Sequence, residues 1–271
     1  MQQNKIFNIS IVLYNSNFSQ IAIIIEQLQK LERLNEIYIV DNSKNRDDRF
    51  EKLNISYDFV GNNIGFGAGH NRSLKKSVDG NIPFHFVINY DISFEMKVFD
   101  DLLNYMIQKP SVGSIMPKVL NTDGGTQILP KLIPTPLDVL IRSFRFRNEY
   151  FKRRLERYCM INYQVDVIEA PIISGCFTLF RTEVLKEIGY YDERFFLYFE
   201  DFDLSRRISE KYKTIVLTSS YIYHEHGNGS RKNLKLFFVF IMSLIVYFNK
   251  WGWLIDRQRN VLNSKALNQY N

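Results

Sequence analysis

Glu200, Asp201 and Asp203 lie among the aromatic residues Phe199 and Phe202, a few positions after the turn Gly189-Tyr190-Tyr191-Asp192-Glu193. Burial raises a carboxylate's proton affinity and a neighbouring negative charge raises it further, so this stretch suits a general base tuned toward neutral pH. The plainer reading is the first turn of a helix, where the macrodipole favours acidic residues and Asp203 and Arg207 form an i,i+4 pair. Three other constellations argue for chemistry. The turn from Gly61 to Asn71 carries Gly61, Gly65, Gly67 and Gly69 before a helical pattern, which lets backbone N–H groups approach an anionic ligand. It has neither the lysine of a P-loop nor the Gly-x-Gly-x-x-Gly order of a dinucleotide site. Asp91 follows the apolar run Phe84 to Ile88, and one carboxylate with substrate phosphates suffices to hold Mg²⁺ or Mn²⁺. His224 and His226 are two apart in Tyr221 to Gly227, so on an extended chain both face one side and either completes a metal shell with Asp91.

These clusters require elements to position them. Alternation and helical spacing predict strands over Asn8–Tyr14, Glu36–Val40, Ile55–Val60, Pro83–Ile88, Val112–Val119, Ile172–Phe180 and Thr214–Leu217. Helices are expected over Phe18–Leu34, capped by Asn17 or Ser19, from Gly65 to Ser77, over Met96–Gln108, from Glu183, and over the apolar run Leu236–Phe248. Strands interleaved with helices imply an α/β fold with a mostly parallel sheet, whose ligands bind beyond the carboxyl ends of the strands. Most of the polar clusters follow a predicted strand. Asn121 to Thr135, rich in Gly and Pro, reads as a loop or flap.

With 271 residues, 45% hydrophobic and 24% charged, the chain is long enough for a sizeable core, and its 22 Phe and 16 Tyr predict aromatic packing. The net charge of +6 concentrates between Arg142 and Arg157, a basic segment with interleaved aromatics. No nucleic-acid motif surrounds it, and nucleic acid is not an expected partner. An anionic membrane surface or the diphosphate of a lipid-linked acceptor fits better. Cys159 and Cys176 have no metal-like spacing and suit a reducing cytoplasm, and the N-terminus shows no signal architecture. The run Leu236–Phe248 would span only ~20 Å as a helix against a ~30 Å hydrocarbon core, which suits a membrane surface, a core or a dimer contact rather than a crossing.

Together these residues resemble the family-two inverting glycosyltransferases of the GT-A fold, in particular the bacterial rhamnosyltransferase and galactofuranosyltransferase-like branch that builds surface polysaccharides such as O-antigen or capsule. The resemblance runs from about Asn8 to Ser230 and rests on IVLYNS, IVDNS, NNIGFGAGHN, NYD, SGC, GYYDERFFLYFEDFDL and a following His-x-x-Gly. It implies a Rossmann-like sheet flanked by helices over 1–230, divided into a nucleotide-binding half (1–119) and an acceptor-binding half (120–230). A helical extension over 231–271 would bind membrane or form a homodimer. It further implies that Tyr14, Asn15, Asp41 and Asn42 hold base and ribose, that Asn63, Gly65, Gly67, Asn71 and Asn89 complete the nucleotide pocket, and that Asp91 with His224 or His226 holds Mn²⁺ or Mg²⁺. Asn89 stands where some relatives carry the first Asp of the metal motif. Asp201 would be the base, Glu200 would orient the acceptor, and Ser174, Gly175 and Asp203 would face sugar or acceptor. Donor would be a UDP- or dTDP-sugar, acceptor a glycan or polyprenyl-diphosphate-linked glycan, and location the cytoplasm or the inner face of the cell membrane.

Two other classes compete. A nucleotidyltransferase would carry a glycine- and Arg/Lys-rich signature after the first strand, which Tyr14-Asn15-Ser16-Asn17 lacks. A catalytically silent polysaccharide-binding or membrane-assembly protein would tolerate a broken carboxylate cluster, and the cluster is intact.

Overall fold

The computed structural model describes residues 5–127, 130–144, 148–161, 165–225 and 233–270. At its centre Ile9, Ile11 and Leu13 alternate with Asn8, Ser10 and Val12 along β1 (Phe7–Leu13), a strand covered on both faces. β1 pairs in parallel with β2 (Leu34–Asp41) and β4 (Phe84–Ile88), and β2 with β3 (Ser56–Phe59). The helices α1 (Phe18–Leu28) and α2 (Phe66–Asp79) make the long connections that parallel pairing demands. Beyond β4, β8 (Phe177–Arg181) runs antiparallel between β4 and β6 (Val112–Leu120), and β9 (Lys213–His224) lies parallel to β6. Two short strands, β5 (Ile92–Phe94) and β7 (Val167–Glu169), pair antiparallel with opposite ends of β9. The order is therefore β3-β2-β1-β4-β8-β6-β9-β5, with β7 also on β9, and the mostly parallel sheet is borne out. The strand order reverses between β1 and β4, so a crevice opens at their carboxyl ends.

One face carries α1 and α3 (Lys97–Gln108), whose Ile21, Ile25, Leu28, Phe99 and Leu102 join the main apolar core. The other face carries α2, α6 (Thr182–Ile188) and α7 (Glu200–Ser209), with Leu74, Leu185, Leu204 and Ile208 in a second core. Asn17 caps α1 by accepting from the Ser19 N–H. The helix stops at Leu28 rather than Leu34, because Leu31 and Leu34 turn inward from the turn and from β2. The strand expected from Ile172 begins only at Phe177, since Ile172 is engaged in an isolated bridge to Lys131 and the Ser174-Gly175 turn interrupts the ladder. β9 runs past Leu217 to His224, because β5 and β6 pair with its far end. The basic segment is two helices, α4 (Pro136–Phe144) and α5 (Glu149–Tyr158), the second capped by Asn148.

The chain closes with α8 (Leu234–Trp251) and α9 (Arg257–Asn268). Arg206 of α7 makes a bidentate pair with Asp256 at 2.7 and 2.8 Å, and its guanidinium lies 4.0 Å from the Trp251 ring centroid. Asn263 exchanges two hydrogen bonds with the Ile133 backbone. α8 has 18 residues and is long and apolar enough to cross a membrane by length and composition alone.

A polar chain threads the second face. Ser10 Oγ lies 2.7 Å from His70 Nδ1 and 2.8 Å from His85 Nε2, while His85 Nδ1 meets Ser77 Oγ at 2.6 Å and Asn8 donates to the same hydroxyl at 2.7 Å. Burial holds both imidazoles neutral, pushing His85 down to about 3 and His70 well below its ordinary value, with His85 adding to the effect on His70. The unfolded chain therefore binds more protons than the folded one below about pH 6.5, and stability is lost as the pH falls. In urea titrations the advantage of wild type over His85→Gln is expected to shrink by about 1.4 kcal/mol per pH unit between pH 6.5 and 4.5; a constant difference would show that His85 protonates without penalty.

Candidate active site

The first turn of α7 is delivered by two successive left-handed residues, Tyr198 and Phe199, with φ of 69° and 65°. Neither is glycine, so each conformation costs about 1–3 kcal/mol and persists only where packing enforces it. Here α8 does so. The Phe199 ring lies 5.3 Å from Tyr247 and 5.5 Å from Phe240, and Ser243 Oγ donates to the Leu197 carbonyl at 2.8 Å.

This corner directs Glu200 and Asp201 inward. Asp201 Oδ2 accepts from the Gly175 N–H at 3.3 Å and Oδ1 from the Phe202 N–H at 2.9 Å. Burial raises the Asp201 carboxyl above its ordinary range, while Lys131 and these N–H donors pull it back. Glu200 is 5% exposed, its Oε2 has no hydrogen-bond partner, and burial followed by the Asp201 charge pushes it well above the usual carboxylate range. Burial thus raises both carboxyls, and only Asp201 has a cation and N–H donors pulling it back, a difference that a general-base site can use.

Asp203, expected to face sugar or acceptor, does not. It is fully buried and holds Arg207 at 2.9 Å, Lys250 at 2.6 Å and the Trp251 indole N–H at 2.9 Å, so its oxygens fix α7 to the C-terminal helix. The i,i+4 pair with Arg207 is real, but it is interior rather than solvated.

A second cluster forms at the carboxyl edge of β4. His224 Nε2 lies 3.3 Å from Asp91 Oδ1 and 3.3 Å from Asn89 Nδ2, while its Nδ1 faces Gln127 Oε1 at 3.4 Å. Gln127 also donates to the His224 carbonyl at 2.9 Å. With Nδ1–H donating to Gln127, the Nε2 lone pair points toward Asp91, an arrangement suited to a divalent cation whose other ligands are diphosphate oxygens and water. Among the described residues no third His, Cys, Asp or Glu joins them, and His226 lies outside those residues. The two clusters meet at one strand: the Asn89 N–H donates to the Cys176 carbonyl at 2.8 Å, and the charges of Asp201 and Asp91 both reach the Cys176 thiol, which burial chiefly pushes up to about 12.

The glycine turn joins this edge from the other side. Gly65 has φ of 93°, and a Cβ there would overlap the Phe196 carbonyl, which accepts from the Phe66 N–H at 3.0 Å. A Cβ at Gly67 would stand 2.8 Å from that of Tyr191 and 3.5 Å from that of Glu200. Asn63 Oδ1 accepts from the Gly65 N–H at 3.0 Å. Asn42 and Asn71, expected to touch nucleotide, are buried and used internally: Asn42 donates to the Gly65 carbonyl, and Asn71 clamps the Tyr191 N–H and carbonyl at 3.0 and 2.9 Å. Asp41 is likewise buried, accepting from the Tyr57 hydroxyl at 2.7 Å and the Ser43 N–H at 2.9 Å. Tyr14 and Asn15 remain exposed at the end of β1, with the Asn15 N–H donating to Ser43 Oγ. Ser174 is half-buried beside the buried Gly175, whose added Cβ would meet Phe66 at 3.2 Å and the Asp201 Cβ at 3.6 Å.

This architecture recurs in known structures. GalNAc-T7, crystallised with UDP, GalNAc and Mn²⁺, superposes over 83% of this chain and 45% of its own with a TM-score of 0.60 at 15% identity. Staphylococcus aureus TarS does so over 98% and 43%, with a TM-score of 0.58 at 16% identity. The chain has the GT-A fold. In sequence it is similar to glycosyltransferases: it is 25% identical over 190 residues to the N-acetylglucosaminyl-diphospho-decaprenol L-rhamnosyltransferase of Mycobacterium tuberculosis, covering 64% of this chain and 60% of that protein. It is also 25% identical over 211 residues to the low-salt glycan biosynthesis hexosyltransferase Agl10 of Haloferax volcanii, covering 76% and 63%. The chain thus spans about three-fifths of the length of these curated relatives. No family model matches it.

Sequence reading passed over Gln127 and Lys131 in this GT-A site. Both lie in the stretch read as a flap, and the signal was a lone lysine among apolar and proline residues in Leu129-Pro130-Lys131-Leu132-Ile133. The contrast between the two aspartates is measurable. Asp203→Asn, which removes the fully buried charge shared by half-buried Lys250 and Arg207, is expected to lose about 3 kcal/mol in chemical denaturation, whereas Asp201→Asn removes an unfavourably buried charge and should leave stability unchanged or higher. Equal losses in both would contradict the separate roles.

Proposed function

We propose that this GT-A chain is a nucleotide-sugar-dependent inverting glycosyltransferase, moving a rhamnose-, galactofuranose- or hexose-like sugar from a UDP- or dTDP-donor to a hydroxyl of a glycan or lipid-linked glycan in surface-polysaccharide synthesis. The observation that carries this reading is the convergence, about Gly175 and Cys176, of a carboxylate–imidazole pair at the sheet edge with the half-buried Asp201 carboxyl beside the buried Glu200. The similarity to a rhamnosyltransferase and a hexosyltransferase supports it.

In this reading the donor's base rests on Tyr14 and Asn15, with Asp41 acting through Tyr57 and Ser43, and its diphosphate reaches the edge formed by Asn89, Asp91 and His224. Asn63, Gly65 and Gly67 shape the pocket wall, Gly67 by leaving room for Glu200 and Tyr191. A divalent cation bound by Asp91 and His224 would offset charge on the departing diphosphate. Asp201 takes the proton from the acceptor hydroxyl as its oxygen bonds to the anomeric carbon, while the bond from that carbon to the diphosphate oxygen breaks on the opposite face. The configuration at that carbon inverts. Glu200, whose carboxyl burial pushes well above the usual range, orients the acceptor beside Asp201.

The acceptor's lipid anchor explains the outer surface. α8 buries Ser243, Tyr247 and Phe248 and turns Leu234, Phe238 and Met242 outward, the last two 66% and 61% exposed. Trp253 continues this stripe, donating to Asn249, and the adjacent Leu254 and Ile255 are each 85% exposed. α4, packed through Val139 against Tyr247 and Phe248, leads to the exposed Lys152, Arg153 and Arg157 of α5. An apolar stripe with neighbouring cations suits the anionic inner face of the cell membrane.

Asp201→Asn is expected to reduce transfer by at least about a hundredfold, with nucleoside-diphosphate affinity by calorimetry within about twofold of wild type, and Asp91→Ala to weaken Mn²⁺-enhanced binding of UDP or dTDP instead. Retained turnover in Asp201→Asn would remove it as base. In flotation assays, vesicles with anionic lipid should carry the protein up, and Phe238→Glu with Met242→Glu should abolish this; a dimer in light scattering lost in the same variant, without vesicle binding, would assign the stripe to a second copy.

A further inference from the structure

Lys131 is 3% exposed, a rare position for an ammonium group. Its backbone is fixed in both directions to Ile172, with N–H to O distances of 3.0 and 3.1 Å, three residues before the Gly175 N–H that holds Asp201. Its Nζ lies 5.3 Å from the ring centroid of Phe202, the residue after Asp201. The lysine, Gly175, Cys176 and the start of α7 are thus one packed cluster, and the ammonium is the positive charge in it that acts on Asp201.

We propose that Lys131 is a positioning residue, whose buried ammonium keeps Asp201 ionised and ready to accept a proton beside Glu200. The inference deepens the transferase reading and rests on it. A carboxylate at the start of α7 faces one effect that favours protonation, its burial among Glu200, Cys176 and Tyr191 rather than in water. Two N–H donors, from Gly175 and Phe202, oppose it, and the buried Lys131 ammonium adds a full positive charge that acts on it. The lysine in turn sits in a balanced field. Burial first, then Arg142, bring it down to about 8, while Cys159, Asp201 and Cys176 act the other way. It is therefore charged at neutral pH and sheds its proton in the mildly alkaline range, where Asp201 no longer needs help to stay ionised. Proton transfer at the acceptor is confined to Asp201; Lys131 exchanges no proton with substrate.

The test reads the pH profile of kcat/KM and, independently of turnover, the ¹³C-carboxyl resonance of Asp201, assigned by its disappearance in Asp201→Asn. In Lys131→Met the rate at pH 6.5 is expected to fall about tenfold and to rejoin wild type in the alkaline range, an upward shift of the acidic limb; Lys131→Arg should restore the limb. In wild type the Asp201 resonance should show a second inflection near pH 8, where Lys131 titrates, absent in Lys131→Met. A loss that is uniform across pH, or a wild-type Asp201 resonance with no inflection there, would overturn the proposal even if the variant folds poorly. Absence of transfer from every donor in wild type would instead strike the transferase reading, leaving the resonance to decide the Lys131–Asp201 pairing.

Discussion

Two adjacent carboxyl groups, Glu200 and Asp201, stand where water is scarce, and most of the surrounding architecture answers that constraint. A helix start is the natural place for acidic residues, because its free N–H groups and dipole favour negative charge. Here the start is turned inward by two left-handed residues, a strained corner that would relax unless held. The holding is done from behind by α8, through Tyr247, Phe240 and Ser243. Asp203 adds a buried electrostatic lock to Lys250, Arg207 and Trp251. The C-terminal helices therefore bear on the chemistry although they contribute no group to it.

The same constraint explains the glycines. Gly67 and Gly175 leave the space that Glu200, Tyr191, Phe66 and Asp201 occupy, and Gly65 lets the turn before α2 lie against the Phe196 carbonyl. Through that contact, and through Asn71 gripping Tyr191, the glycine turn and the start of α2 are tied to the loop that leads into α7. A displacement of either side would be felt by the other. The outward face of α8 meanwhile stays apolar while its inward face secures the first turn of α7, so one helix serves both surface and candidate site.

Much of this was legible in the residue pattern. The strand runs around Asn8–Tyr14, Glu36–Val40 and Phe84–Ile88, interleaved with helical patterns, announced a parallel sheet because parallel neighbours need long crossover connections. Asp91 and His224 were expected to meet and do, since β5 and β9 pair Ile92 with His224. Less legible was the fate of single polar residues. Asn42, Asn71 and Asp203 have the chemistry of ligand contacts, yet each is consumed by a backbone or charged partner far away in the chain, and a side chain's partner is not a local property. Lys131 escaped notice for the converse reason: an isolated lysine in a loop reads as solvated, and only the bridge to Ile172 carries it inside.

What the sequence by itself determined is the set of periodicities and the order of turns, because these follow from local sterics and from which side chains avoid water. Those suffice for a GT-A sheet with its polar clusters at one edge. The tertiary structure alone decided which carboxylate is locked in ion pairs and which is left to serve as the proposed base. Asp201 and Asp203 are two positions apart on the same turn and chemically identical, and the difference is that one meets Gly175 and the Lys131 charge while the other meets Lys250, Arg207 and Trp251. Proton affinity depends on surroundings assembled from distant segments, and no local pattern encodes them.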